Sequence, residues 1–145
     1  MKEYDVAVIG ASVSGGTLAS CLGRRGLSVA VIDKGSFPRR KACGEGLSNV
    51  ALSALVRMGF DVGPAIESGL PYYGYRMDLG KRSFAFASGR KTLLKGVGVQ
   101  RTHLDSLILD AATACPSVDT FLETTPSAIA KQDQGYSLEL SNGET

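Results

Sequence analysis

The residues with the plainest chemical use lie in two short stretches near the N-terminus. Gly10-Ala11-Ser12-Val13-Ser14-Gly15 follows an apolar run over residues 4–9, and Asp33 closes a second run, Val29-Ala30-Val31-Ile32. A strand, a glycine-bearing turn, a small-residue helix and a second strand ending in a carboxylate are together the parts that hold a dinucleotide. Gly10 permits the tight turn, and the helix behind it offers N–H groups without intrahelical partners to a pyrophosphate. Asp33 can accept from both hydroxyls of a ribose. Its charge disfavours a 2′-phosphate, a repulsion that Lys34 softens. Ser12 stands where the G-x-G-x-x-G pattern has its second glycine; it takes clearance from the phosphate but brings a hydroxyl that can donate to it. The plainer reading of the hexapeptide is a phosphate-free turn in a related α/β fold, and of Asp33 a solvated strand end.

The surrounding elements must position these residues. Residues 4–9 read as a strand buried on both faces of a parallel sheet. A helix from about Ser14 to Arg25 packs through Gly15, Gly16, Ala19 and Ser20, with Leu18, Cys21 and Leu22 as its apolar stripe and Gly26 ending it. Residues 28–32 form a second strand, parallel to the first through a right-handed crossover. Ser48 caps a helix carrying Val50, Ala51, Leu52, Leu55, Val56 and Met58, with Gly59 after its end. Tyr72–Tyr75 and Phe84–Phe86 read as short strands and Gly96–Val99 as extended chain, which makes residues 61–100 a less regular antiparallel insertion. A capping box, Thr102-x-x-Asp105, opens a helix whose apolar positions are Leu104, Leu107, Ile108, Ala111, Ala112 and Cys115, and Pro116 stops it. Val118–Leu122 reads as a third parallel strand, and residues 128–130 and 136–140 as a hairpin or meander. Asn142-Gly143 is a type I′ turn signal with no return strand, so the reading expects a truncated domain whose native chain continues.

A chain of 145 residues, 43% hydrophobic and 21% charged, suits one soluble globular domain. A net charge of +2 is too mild to imply a nucleic-acid partner, and the basic run Arg39-Arg40-Lys41, following a proline, reads as a solvated loop. No apolar stretch reaches the roughly 18 residues of a membrane span, and no signal peptide precedes the first strand. The 3 cysteines, Cys21, Cys43 and Cys115, are odd in number and unpaired by motif. They argue against a disulfide framework or a metal site and for a cytoplasmic location. Cys21 and Cys115 read as core. The single histidine, His103, lies on an exposed helix start and takes no catalytic role.

The loop from Phe37 to Ser48 narrows the choice of dinucleotide. It resembles the P-R-x-K-x-C-G-x-x-L-S signature of FAD-dependent oxidoreductases of the geranylgeranyl reductase and flavin halogenase group, relatives of the aromatic-hydroxylase flavoproteins. The match covers Pro38, Arg39, Lys41, Cys43, Gly44, Leu47 and Ser48. Gly98 to Leu107 is similar to the R-x-x-L/F-D-x-x-L pattern of the same proteins, with Arg101 and Asp105 at its fixed positions.

The resemblance implies an α/β, Rossmann-like FAD-binding fold with a parallel sheet and an antiparallel β insertion, of which residues 1–145 are the N-terminal part. It places Ser14 and Asp33 at the adenosine-diphosphate half of FAD, beside Gly10, Ser12 and Gly15 of the turn and Lys34 after the second strand. The backbone of Cys43, Gly44 and Gly46 would touch FAD, and Arg101 would offer a guanidinium to phosphate or ribitol oxygens. Asp105 would help fix its helix start. The implied chemistry is the flavin's: hydride delivery to an isoprenoid-like double bond, or reaction with oxygen for hydroxylation or halogenation. The substrate would be a small isoprenoid-like or aromatic molecule, with NAD(P)H or another reductant. Cys43 reads as a small lining residue rather than a redox thiol, and no side chain is assigned acid–base duty. Two alternatives stand beside this reading. One is an NAD-binding module of a dehydrogenase, against which the Cys43 loop and Arg101 speak; the other is a truncated, non-catalytic remnant.

Overall fold

The same four residues, Val-Ala-Val-Ile, build two neighbouring strands, β1 (Val6–Ile9) and, after helix α1 (Val13–Gly23), β2 (Val29–Ile32). In the computed structural model, which describes residues 2–43, 46–87 and 95–143, they pair in parallel from Val6 beside Val29 to Ile9 beside Ile32. β2 is the middle strand of its sheet and all of its residues are buried; β1 is an edge strand, and Ile9 is 58% exposed. The expectation that β1 is buried on both faces therefore fails. Alternating side chains point to opposite faces, and the packed cluster takes Val8, Val29 and Val31 with residues of the helices, while Ile9 points the other way.

The remaining elements are β3 (Gly46–Ser48), α2 (Asn49–Arg57), α3 (Gly63–Ser68), β4 (Leu70–Tyr72), β5 (Gly74–Leu79) and β6 (Arg82–Ala87). β7 (Gly96–Gly98), α4 (Arg101–Thr113), β8 (Val118–Phe121), β9 (Pro126–Gln132) and β10 (Gly135–Leu140) follow. They form two units, Met1–Arg40 with Leu104–Thr145, and Lys41–His103.

In the first unit β8 pairs in parallel with β2, giving the order β1-β2-β8. Small residues let α1 lie close to its neighbours: a Cβ on Gly16 would sit 2.8 Å from Ile108 Cγ2, and one on Gly23 would sit 2.5 Å from Val118 Cγ2. Ser20 Oγ donates to the Ala111 carbonyl at 3.1 Å. The buried face of α1 is thus Gly16, Ala19, Ser20 and Gly23, and the expected stripe residue Leu18 is 48% exposed. Cys115 is buried as expected, whereas Cys21 is only partly covered. α4 buries Leu104, Asp105, Ile108, Leu109 and Ala112. It starts at Arg101, which puts Thr102 inside the helix rather than at its cap and sends Asp105 into the interior. The expected capping box is therefore not how this helix begins.

β9 and β10 form the expected antiparallel hairpin. The turn after it differs from expectation. Gly143 has φ +86°, but Glu123 is the one non-glycine with positive φ among the described residues, so Asn142 lacks the conformation a type I′ turn requires.

In the second unit β7 is flanked by β3 and β4, both antiparallel to it. Ser48 caps α2 as expected, its Oγ accepting from the Ala51 amide at 3.2 Å. Only Leu52 and Leu55 of that helix are buried, and Val50 and Val56 face solvent. Neither β3 nor α3 is foreseen from the sequence. β5 and β6 form a separate hairpin in which Tyr75 pairs with Phe86 and Met77 with Phe84. These four and Leu79 share one face and are exposed.

Candidate cofactor site

At the carboxyl end of β1 the chain turns sharply into α1. Gly10 takes φ +108°, which an L side chain adopts only under strain, and a Cβ there would meet nothing within 4 Å. The turn is therefore open on that side. Gly15 is needed for the opposite reason, because a Cβ on it would collide with the Gly10 carbonyl oxygen. Ser12 is the N-cap residue of α1 and makes no side-chain capping bond. The amides of Val13, Ser14 and Gly15 thus lack both intrahelical acceptors and a side-chain cap. Such amides, at the positive end of the helix dipole, suit a diphosphate.

Asp33 lies directly beneath this turn. Gly10 N donates to the Ile32 carbonyl at 2.7 Å, Asp33 N donates to the Phe121 carbonyl at 2.9 Å, and Thr124 N donates to the Asp33 carbonyl at 3.0 Å. The carboxylate is fixed as firmly as its backbone. Oδ2 accepts from the Ala11 amide at 2.7 Å and from Arg39 Nη2 at 3.0 Å; Oδ1 accepts from the Gly35 amide at 2.8 Å and from Arg39 Nη1 at 2.7 Å. Asp33 is only 5% exposed. Burial pushes its carboxyl pKa up, but the Gly35 and Ala11 amides and the Arg39 guanidinium outweigh that and hold it below the ordinary value. Arg39 also lies over the Phe37 ring at 4.8 Å, and its buried Nε has no hydrogen-bond partner among the described residues.

The carboxylate that was expected to grip a ribose is therefore already bonded through both oxygens. Two of its partners are backbone amides built into the turns. The side-chain partner is Arg39, which the sequence alone places in a solvated loop. The signal available was an arginine six positions after the strand-end acid, behind Phe37-Pro38. Ser12 also differs from expectation: its hydroxyl lies 3.3 Å from both carboxylate oxygens of Asp105 rather than standing free for a phosphate.

Gly10, Ser12, Ser14, Gly15 and Asp33 thus come together around the start of α1, with Ser14 exposed in its first turn and Lys34 exposed just after Asp33. Cys43, Gly46 and Arg101 belong to the other unit. Cys43 is exposed, Gly46 opens β3 opposite Gly98, and Arg101 is the first residue of α4. Gly44 falls outside the described residues. The open turn, the uncapped amides and the anchored acid fit the adenosine-diphosphate half of FAD. No helix among the described residues is long and apolar enough to cross a membrane.

The chain is similar in sequence to curated proteins and in fold to solved structures. An uncharacterised protein of Methanosarcina barkeri is 34% identical over 123 residues, spanning 85% of this chain and 30% of that protein. A menaquinone reductase of Mycolicibacterium smegmatis is 38% identical over 73 residues, 50% of this chain and 17% of the reductase. The crystal structure of a geranylgeranyl bacteriochlorophyll reductase-like protein from Thermoplasma acidophilum superposes with a TM-score of 0.75 at 23% identity, covering 97% of this chain and 36% of that one. This chain therefore spans about a third or less of the length of each. Residues 3–145 match the FAD binding domain model, and the chain belongs to that family.

Proposed function

We propose that this chain is the FAD-holding portion of a flavin-dependent oxidoreductase that reduces a small isoprenoid-like or aromatic molecule. One observation carries the reading: the Asp33 carboxylate is bonded to the Ala11 amide at 2.7 Å, directly below a helix start whose first amides are uncapped. In this reading the amides of Val13 and Ser14 hold the diphosphate, and the Asp33–Arg39 pair meets the adenosine ribose. Arg39 either shares the carboxylate with the ribose hydroxyls or turns toward the diphosphate. Lys34 adds positive charge nearby. The backbone of Cys43, Gly44 and Gly46, and the Arg101 guanidinium, meet the remainder of FAD. When bound, FAD supplies hydride transfer or, once reduced, activation of oxygen.

Reduction is favoured over oxygen-dependent hydroxylation or halogenation because the M. smegmatis relative, 38% identical over 73 residues, is a menaquinone reductase. NAD(P)H or another reductant would recharge the cofactor. Cys21, Cys43 and Cys115, which form no disulfide among the described residues, accord with a reducing cytoplasm. Purification tests the reading. Protein that takes up FAD and shows the absorption bands of bound oxidised flavin supports it, whereas colourless protein that binds NAD in a titration overturns it in favour of a dehydrogenase module.

A further inference from the structure

The fingerprint position normally held by a second glycine is occupied here by Ser12, and its side chain does not face a ligand unaided. Its hydroxyl lies 3.3 Å from both oxygens of the Asp105 carboxylate, 93 residues away in sequence. Asp105 is fully buried, at 0% exposure. A carboxylate withdrawn from water is costly unless donors surround it. Ser12 supplies one donor, and the N-terminal end of α1 adds a favourable dipole.

This contact caps a longer line of close approach between α1 and α4. Along that line Gly16 has no room for a Cβ against Ile108, and Ser20 is bonded to the Ala111 carbonyl. The approach leaves α4 little freedom to slide along α1, so Asp105 is held at one height beside the phosphate turn. A hydroxyl engaged by Asp105 already has an acceptor that competes with any phosphate.

We propose that Asp105 is a positioning residue for the cofactor: through Ser12 it sets the conformation of the phosphate turn, so that backbone amides rather than the Ser12 hydroxyl receive the diphosphate. The serine is tolerated in place of glycine because Asp105 keeps its side chain out of the phosphate's path. The proposal rests on the FAD reading above.

The test compares wild type with S12A, D105L, D105N and the S12A/D105L double variant. ADP and FAD affinities are measured by titration, and the backbone amide chemical shifts of residues 10–14 are recorded without ligand. Loss of the hydrogen bond in S12A or D105L is expected to weaken ADP binding about tenfold, with no further loss in the double variant. D105N, which keeps an acceptor for Ser12, is expected to stay within about threefold of wild type. In the unliganded proteins, S12A and D105L should move the same turn amides in the same direction. Additive losses overturn the proposal. So does an S12A loss unmatched by D105L, which would assign the hydroxyl to the phosphate. A D105L chain that melts earlier but binds ADP with wild-type affinity leaves Asp105 merely structural and also overturns it. If D105L does not fold, S12A and D105N decide: S12A must weaken binding and move the turn amides while D105N does neither. Should wild type bind neither ADP nor FAD, the FAD reading fails, and the amide shifts alone still support or refute the Ser12–Asp105 coupling.

Discussion

The two units of this chain spend their apolar residues differently. In the unit built on β1, β2 and β8, the central strand is wholly buried, and glycine and alanine bring α1 against Ile108, Cys115 and Val118. The unit spanning Lys41–His103 buries Leu52, Leu55, Phe60, Ala65, Val97 and Val99, yet leaves Tyr75, Met77, Leu79, Phe84 and Phe86 of its hairpin exposed on one face. The first unit has turned its apolar content into a platform that fixes Gly10, Ser12 and Asp33 at hydrogen-bonding distances. The second carries Cys43, Gly46 and Arg101 on a smaller core. The contrast predicts larger losses for substitutions in the first unit than in the second.

The largest effect is expected at Ile108, fully buried where Gly16 approaches it. Ile108→Ala should cost about 2–5 kcal/mol in a denaturant melt and loosen α1 with it. A smaller loss is expected for Arg39→Ala, which deletes two hydrogen bonds to a buried carboxylate: about 1–3 kcal/mol, with Arg39→Lys recovering only part because an ammonium cannot fork. Acid should expose the same pair. The folded-state pKa of Asp33 lies below its ordinary value of 3.8, so its contribution is complete above the unfolded pKa and disappears as pH falls through the folded one. Stability measured between about pH 4 and pH 2 should decline, and Asp33→Asn should flatten that decline. Flattening should be partial, because Asp5 and Asp119 are also shifted downward, Asp5 by the Ser28 backbone amide and hydroxyl and Asp119 by Lys2 and Tyr4. The smallest effect is expected in the second unit. Phe86→Ser, on the exposed hairpin face, should stay within about 0.5 kcal/mol of wild type.

How far these features could be read from residues alone follows the range of the forces involved. The strand–turn–helix–strand unit was legible because valine runs, Gly10 and Gly26 state local conformations directly. The acid at the end of β2 was legible for the same reason. Identical Val-Ala-Val-Ile strands could not reveal which one lies at the sheet edge, since neighbours decide that and composition does not. Arg39 was hidden in a basic run, because pairing with Asp33 depends on how the loop after β2 folds back. Thr102-x-x-Asp105 matched a local capping pattern, but α4 starts at Arg101 and tertiary packing drew Asp105 toward Ser12 instead. Ser48, whose capping role is local, was read correctly.

The central claim is that the first unit receives an adenosine diphosphate group at the start of α1. Two-dimensional ¹⁵N–¹H spectra of the labelled chain, recorded while ADP is added, test it most directly. Saturable shifts of the Ala11, Ser12, Val13 and Ser14 amides, with Gly35 following as Arg39 re-bonds, are the expected result. Shifts confined to other residues, or an unchanged spectrum at millimolar ADP, would contradict it.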